Sequence, residues 1–95
     1  MVSKEELVRF LKEEKDEYNK TTREEKLRRK YGQYLSLEVK NVTEDKVEIE
    51  LRGEGKALAA SLMVKDWVKS EFDVDVEMII NTDTSFRPDK YTVIP

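Results

Sequence analysis

The chain has 95 residues, of which 18 are basic and 21 acidic, for a net charge of −3 with 41% of residues charged. That is the length of one small domain with a modest core, and it carries no global basic excess to draw it onto nucleic acid or an anionic membrane. With neither Cys nor His in the sequence, disulfides, thiol nucleophiles, imidazole bases and the usual zinc sites are excluded, and neither a metal nor another cofactor is expected.

No run approaches the roughly 18 apolar residues of a membrane span, and the N-terminus lacks the apolar stretch of a secretion leader. The expectation is a cytoplasmic protein with no membrane partner. Abundant Glu and Lys without Cys is a composition often met in heat-adapted proteins.

Ser3-Lys4-Glu5-Glu6 has the form of a capping box, with Val2 and Leu7 at the two positions of a hydrophobic staple, so a helix is predicted to begin here. Leu7, Phe10, Leu11 and Tyr18 then form a thin apolar stripe at helical spacing. A stripe so narrow predicts a charged arm lying on the domain instead of a core helix. Thr22-Arg23-Glu24-Glu25 is a second capping box. Either one helix runs on to Lys30, or a break near Asn19–Thr22 separates two. Gly32 suits the position after a helix C-terminus, and Arg28, Arg29 and Lys30 fall in the last turn, where positive charge complements the dipole.

Leu35, Leu37 and Val39, and after a polar loop Val47, Ile49 and Leu51, alternate with polar residues, a hairpin signal. A symmetric register sets Leu37 opposite Leu51, Lys40 opposite Glu48, and Glu38 beside Glu50 at a small repulsive cost. After Gly53-Glu54-Gly55 the most apolar helix of the chain is predicted over 56–72, with Leu58, Leu62, Val64, Trp67, Val68 and Phe72 facing the core and Ala57, Ala59 and Ala60 permitting close approach. Val74, Val76, Met78 and Ile80 mark a third strand, and Tyr91–Ile94 a short fourth one at an edge. The whole is one α+β domain over residues 1–95. Residues 1–32 form a charged helical arm; residues 33–95 form a hairpin, a core helix and one strand plus the edge strand, a small mixed or antiparallel sheet of three to four strands with helices on one face.

Gly53-Glu54-Gly55-Lys56 leads a strand into a helix N-terminus, a place where backbone amides and the dipole bind anions. The same glycines equally serve a tight turn. The run from Arg23 to Lys30 carries five basic and two acidic residues, suited either to phosphate contact or to charge complementation of the helix end. Asp73, Asp75 and Glu77, with Glu38, Glu48 and Glu50, read as an acidic, solvated sheet face. No aromatic residues alternate there to stack on bases. Tyr18, Tyr31, Tyr34 and Tyr91 are candidates for an interface between copies. No pair of carboxylates, lysines or tyrosines has a spacing that suggests catalysis, so no enzyme and no catalytic residue are expected.

Glu48–Gly55 followed by Lys56–Phe72 resembles the second strand and second helix of the Alba family of archaeal chromatin and RNA-binding proteins. Residues 48–80 carry the resemblance. Where the family has a short basic turn, roughly Lys-Ala-Arg-Gly-Arg-Ala-Ile, this chain has Arg52-Gly53-Glu54-Gly55-Lys56-Ala57-Leu58. Leu62, Trp67, Val68, Lys69 and Phe72 fall where the family tends to have Val, Ile, Val, Arg and Phe. The family's Gly-Lys-Lys loop has no counterpart within residues 1–46, and Glu54 stands where an Arg is usual. The resemblance implies a homodimeric, nucleic-acid-associated protein of archaeal type, binding DNA or RNA with little sequence preference. It carries Arg52 and Lys56 over as phosphate contacts, joined by Arg28, Arg29 and Lys30 if the arm folds near them. The other reading of the residues is a protein-interaction or dimerisation module with no nucleic-acid binding, favoured by the acidic net charge.

Overall fold

The computed structural model describes residues 2–82, which form an α+β unit. Helix α1 spans Lys4–Val8 and runs into a π-helical turn at Arg9–Glu13; α2 spans Arg23–Tyr31 and α3 Ala57–Phe72. Strands β1 (Ser36–Val42), β2 (Lys46–Arg52) and β3 (Asp75–Asn81) form a sheet in that spatial order. β1 and β2 pair antiparallel as the expected hairpin, and β2 and β3 pair parallel, so the sheet is mixed. A parallel neighbour needs a crossover connection, and α3 supplies it. The Tyr91–Ile94 strand expectation lies outside the described residues.

Both capping boxes start helices. The Ser3 hydroxyl accepts from the Glu6 amide at 3.1 Å, and the Thr22 hydroxyl accepts from the Glu25 amide at 3.2 Å. Of the two options for the N-terminal region, the chain takes the break, but a longer one: it leaves the helix at Glu14, whose amide donates to the Arg9 carbonyl at 2.8 Å, and re-enters only at Arg23. An antiparallel bridge between Lys15 and Thr22 closes the intervening loop. Tyr18 sits at its tip, 94% exposed, outside the stripe assigned to it.

The N-terminal helices are core elements, which corrects the expectation of an arm. Leu7, Leu11 and Leu27 are fully buried together with Leu35, Leu37, Ile49 and Leu51. The stripe is thin because two short helices share one sheet, each contributing only one or two large side chains. Phe10 meets Phe72 of α3 edge-on at 5.2 Å, and the Arg23 guanidinium stacks on the Phe10 ring at 3.6 Å while donating to the Phe10 carbonyl at 2.8 Å. That one arginine ties the π turn to α2. On the sheet side, the Glu24 carboxylate accepts from the Leu37 amide at 2.8 Å, satisfying a donor on the outer edge of β1.

The hairpin register has Leu37 opposite Leu51 and Glu38 opposite Glu50, as expected. Lys40 is not opposite Glu48: the register shifts between Val39 and Asn41, and Asn41 takes that place. Such a bulge keeps Val39 inward while letting the chain twist toward its turn. The Glu38–Glu50 repulsion is relieved locally, since Lys40 pairs with Glu38 at 3.7 Å and Arg52 with Glu50 at 2.9 Å. Asp73 does not belong to the strand face; it is the left-handed C-cap of α3, with φ of 53°.

Helix α3 packs through Ala57, Ala60, Ser61, Val64 and Val68, with Trp67 and Phe72 half-buried at the margin. The expected core positions Leu58 and Leu62 are instead 68% and 60% exposed. Small residues face the sheet because the helix lies close to it; the two leucines fall on the flank turned outward beyond β3.

Gly53 and Gly55 shape the β2–α3 turn. A Cβ on Gly55, where φ is +94°, would stand 2.6 Å from the Tyr31 carbonyl oxygen, and one on Gly53, at φ +134°, 2.9 Å from the Tyr34 carbonyl oxygen. Gly55→Ala is therefore expected to destabilise the protein by about 1–3 kcal/mol through backbone strain alone, whereas Leu58→Ala should stay within about 0.5 kcal/mol. Urea unfolding of the two variants beside the parent measures both.

Candidate nucleic-acid interface

Three of the five cations singled out from the sequence meet at one corner of the molecule. The last turn of α2 holds Arg28, Arg29 and Lys30 and ends where the Tyr31 carbonyl accepts from the Lys56 amide at 3.3 Å. The C-terminus of one helix thus abuts the N-terminus of the next, the negative end of the α2 dipole facing the positive end of α3. Arg29, Lys30 and Lys56 are exposed and make no ion pair among the described residues; the Lys30 ammonium lies 5.6 Å from the centre of the Tyr31 ring.

The other two are committed elsewhere. Arg28 pairs with Glu24 at 3.1 Å, one turn earlier on the same helix. Arg52 lies on the outer sheet face, where its Nε donates to Glu50 at 2.9 Å. Glu50 also accepts from the Asn81 side chain at 3.4 Å, and its pKa is held below the usual carboxylate value, chiefly by Arg52. Glu50 is buried, so Arg52 is anchored by a shielded acceptor and sits apart from the corner.

The glycine turn itself is a joint. The Tyr31 carbonyl takes the Lys56 amide, and Gly55 is glycine because that carbonyl lies against it. The turn therefore offers an incoming anion one amide fewer than an open helix N-terminus would.

Beside the corner, between α2 and α3, runs a groove of 560 Å³ lined by Lys26, Arg29 and Lys30 on one side, Met63 and Trp67 on the other, and Asn19 and Thr21 at its end. A smaller hollow of 200 Å³ continues past Thr21 and Trp67 to Glu14, Lys15, Asp16 and Arg23. The acids at that end are neutralised: Asp16 pairs with Lys26 at 2.5 Å, and Glu14 lies 3.8 Å from Arg23. Positive charge with no carboxylate partner among the described residues is left at the Arg29–Lys30 end. Lys26, Thr21 and Trp67 were not singled out as site residues from the sequence, where a lone Trp on an apolar helix reads as core. The signal that was available is the spacing of Lys26, Arg29 and Lys30, which share a face of α2.

Among the described residues no cluster of Asp and Glu is placed to hold a metal ion, and no helix is long and apolar enough to cross a membrane. Comparison of the chain with protein-family models, with curated proteins and with solved structures finds no match.

The Asp16 carboxyl is pulled down from 3.8 to about 2, chiefly by the Lys26 ammonium and then by the Tyr18 and Asn19 amides that donate to it. A depressed carboxyl stabilises the fold fully above its unfolded value, and the contribution is lost as pH falls through the folded one. Acid titration should therefore loosen the 14–22 loop between pH 3.8 and about 2. Asp16→Asn should flatten the stability profile in that window, measured by denaturant midpoints at successive pH values.

Proposed function

We propose that this is a small, non-enzymatic, nucleic-acid-associated protein that holds phosphate backbone electrostatically, with little sequence preference, and works as a homodimer. The observation that carries the reading is the joint between α2 and α3, which brings Arg29 and Lys30 beside Lys56 at one corner of a chain whose net charge is −3. A group of neighbouring cations presents a local attractive field even on a protein whose total charge is negative. The resemblance of residues 48–80 to the Alba family points the same way. Arg28 adds to the field at longer range; Arg52, held by Glu50, contributes least.

Fluorescence anisotropy with labelled DNA and RNA, at low and at physiological salt, tests this. The parent should bind more weakly as salt rises. Lys56→Glu and Arg29→Glu should each weaken binding to all sequences alike and lower the slope of log K against log salt by about one. No binding at low salt would overturn the reading.

A second reading, a dimerisation module without nucleic-acid binding, rests on a different surface. Leu58, Leu62 and Ile80 are 68%, 60% and 40% exposed, and with Val76 and Met78 they line a shallow groove of 480 Å³. They border the outer edge of β3, which pairs with no strand among the described residues. A second copy fits this surface. Antiparallel pairing of two β3 edges about Met78 would set Val76 against Ile80 and Glu77 against Ile79, so that Glu77 does not face its own copy. It would also bring the two leucine patches onto one side of a joined sheet. Light scattering should give a dimer mass for the parent and a monomer mass for Leu62→Glu; a monomeric parent would remove this surface from the account.

A further inference from the structure

The groove between α2 and α3 contains a feature that packing does not explain. Thr21 is 4% exposed, and its hydroxyl has no hydrogen-bond partner among the described residues. A buried hydroxyl left unpaired is costly, and such groups in folded proteins call for a reason. Thr21 lines both halves of the groove, with Trp67 running along the same two halves.

We infer that this groove is a binding site for one unpaired nucleotide of a single strand, an assignment that rests on the nucleic-acid reading above and specifies its form. The chemistry of the walls divides into three parts. Trp67, half-buried against the core, gives a rigid indole edge or face for a nucleobase, with Met63 beside it. Aromatic stacking of this kind is insensitive to sequence because every base has a π face. Thr21 and Asn19, where the groove meets the smaller hollow, supply the hydroxyl and amide groups that the polar rim of a base would meet. Arg29 and Lys30, exposed and without ion pairs among the described residues, stand at the other end, where the phosphate would leave the groove toward Lys56. Lys26 is held back by Asp16 and acts as wall more than as phosphate contact. A duplex cannot present a base to this groove without opening, so the site discriminates single strand from double.

The chain contains one Trp, so fluorescence excited selectively at Trp, beyond the absorption of its four Tyr, reports on this groove. Titration with single-stranded oligothymidylate should quench Trp67 emission with the same midpoint as the anisotropy of the labelled oligomer. A blunt hairpin duplex should bind more weakly and leave the emission unchanged. Trp67→Ala should weaken oligothymidylate binding by on the order of ten-fold, with Trp67→Phe recovering most of it. Because Trp67 also touches the core, Thr21→Val is the decisive companion: replacing an unpaired buried hydroxyl by a methyl should keep or raise stability while weakening the single-strand interaction. Binding by anisotropy with unchanged Trp67 emission, or a Thr21→Val variant that binds as the parent does, would overturn the groove assignment and leave electrostatic backbone binding standing. Absence of any anisotropy change at low salt would overturn both.

Discussion

The contact on which this structure turns is between the end of one helix and the start of another: the Tyr31 carbonyl set against Gly55 and accepting from the Lys56 amide. It requires glycine twice over, once for a backbone angle of +94° and once for the absence of a Cβ where a carbonyl stands. It orients α2 across α3, and so opens a groove on one side of the crossing and gathers exposed cations at its end. The proposed nucleic-acid face is downstream of that joint. The same contact also explains why the glycine turn is a poor anion cradle by itself: an internal carbonyl already takes the amide that a phosphate would want.

Around the joint, polar contacts perform structural tasks that a core this small cannot do with apolar area alone. Arg23 stacks on Phe10 and binds its carbonyl, holding the π turn against α2. Glu24 caps the outer edge of β1 at Leu37 and also pairs with Arg28. Asp16 anchors Lys26 and organises the loop that closes the groove. Several charges that look like binding residues are therefore spent on architecture, and of the five cations named from the sequence, removing Arg28 and Arg52 leaves Arg29, Lys30 and Lys56.

Local signals in the sequence were reliable where a single physical rule decides the outcome. The capping boxes at Ser3 and Thr22, the alternation in β1 and β2, and the glycine turn into α3 all led to the elements observed. What the sequence left obscure depended on how elements meet. Leu58 and Leu62 read as core because apolarity at helical spacing does not say which flank faces the sheet; the close approach allowed by Ala57, Ala60 and Ser61 rotated them outward. Leu7, Leu11 and Leu27 read as a surface arm because each short helix offers few apolar positions, and only their sum in space makes a core. The bulge at Lys40 has no signature beyond the register it shifts. In the site, Arg28 and Arg52 were legible as cations but not as partners of Glu24 and Glu50. Trp67 was legible as aromatic but not as the wall of a groove, because its exposed side exists only once α2 has docked.

The central claim is that the face built by the α2–α3 joint is where nucleic acid meets this protein. Amide chemical-shift mapping of the isotopically labelled chain during titration with a short single strand addresses it residue by residue. The account predicts perturbations centred on the loop at Asn19–Thr21, the last turn of α2, Lys56 and the Met63–Trp67 stretch of α3, with the β3 edge and Leu58 and Leu62 unmoved. Perturbations confined to the β3 edge, or none at low salt, would contradict it.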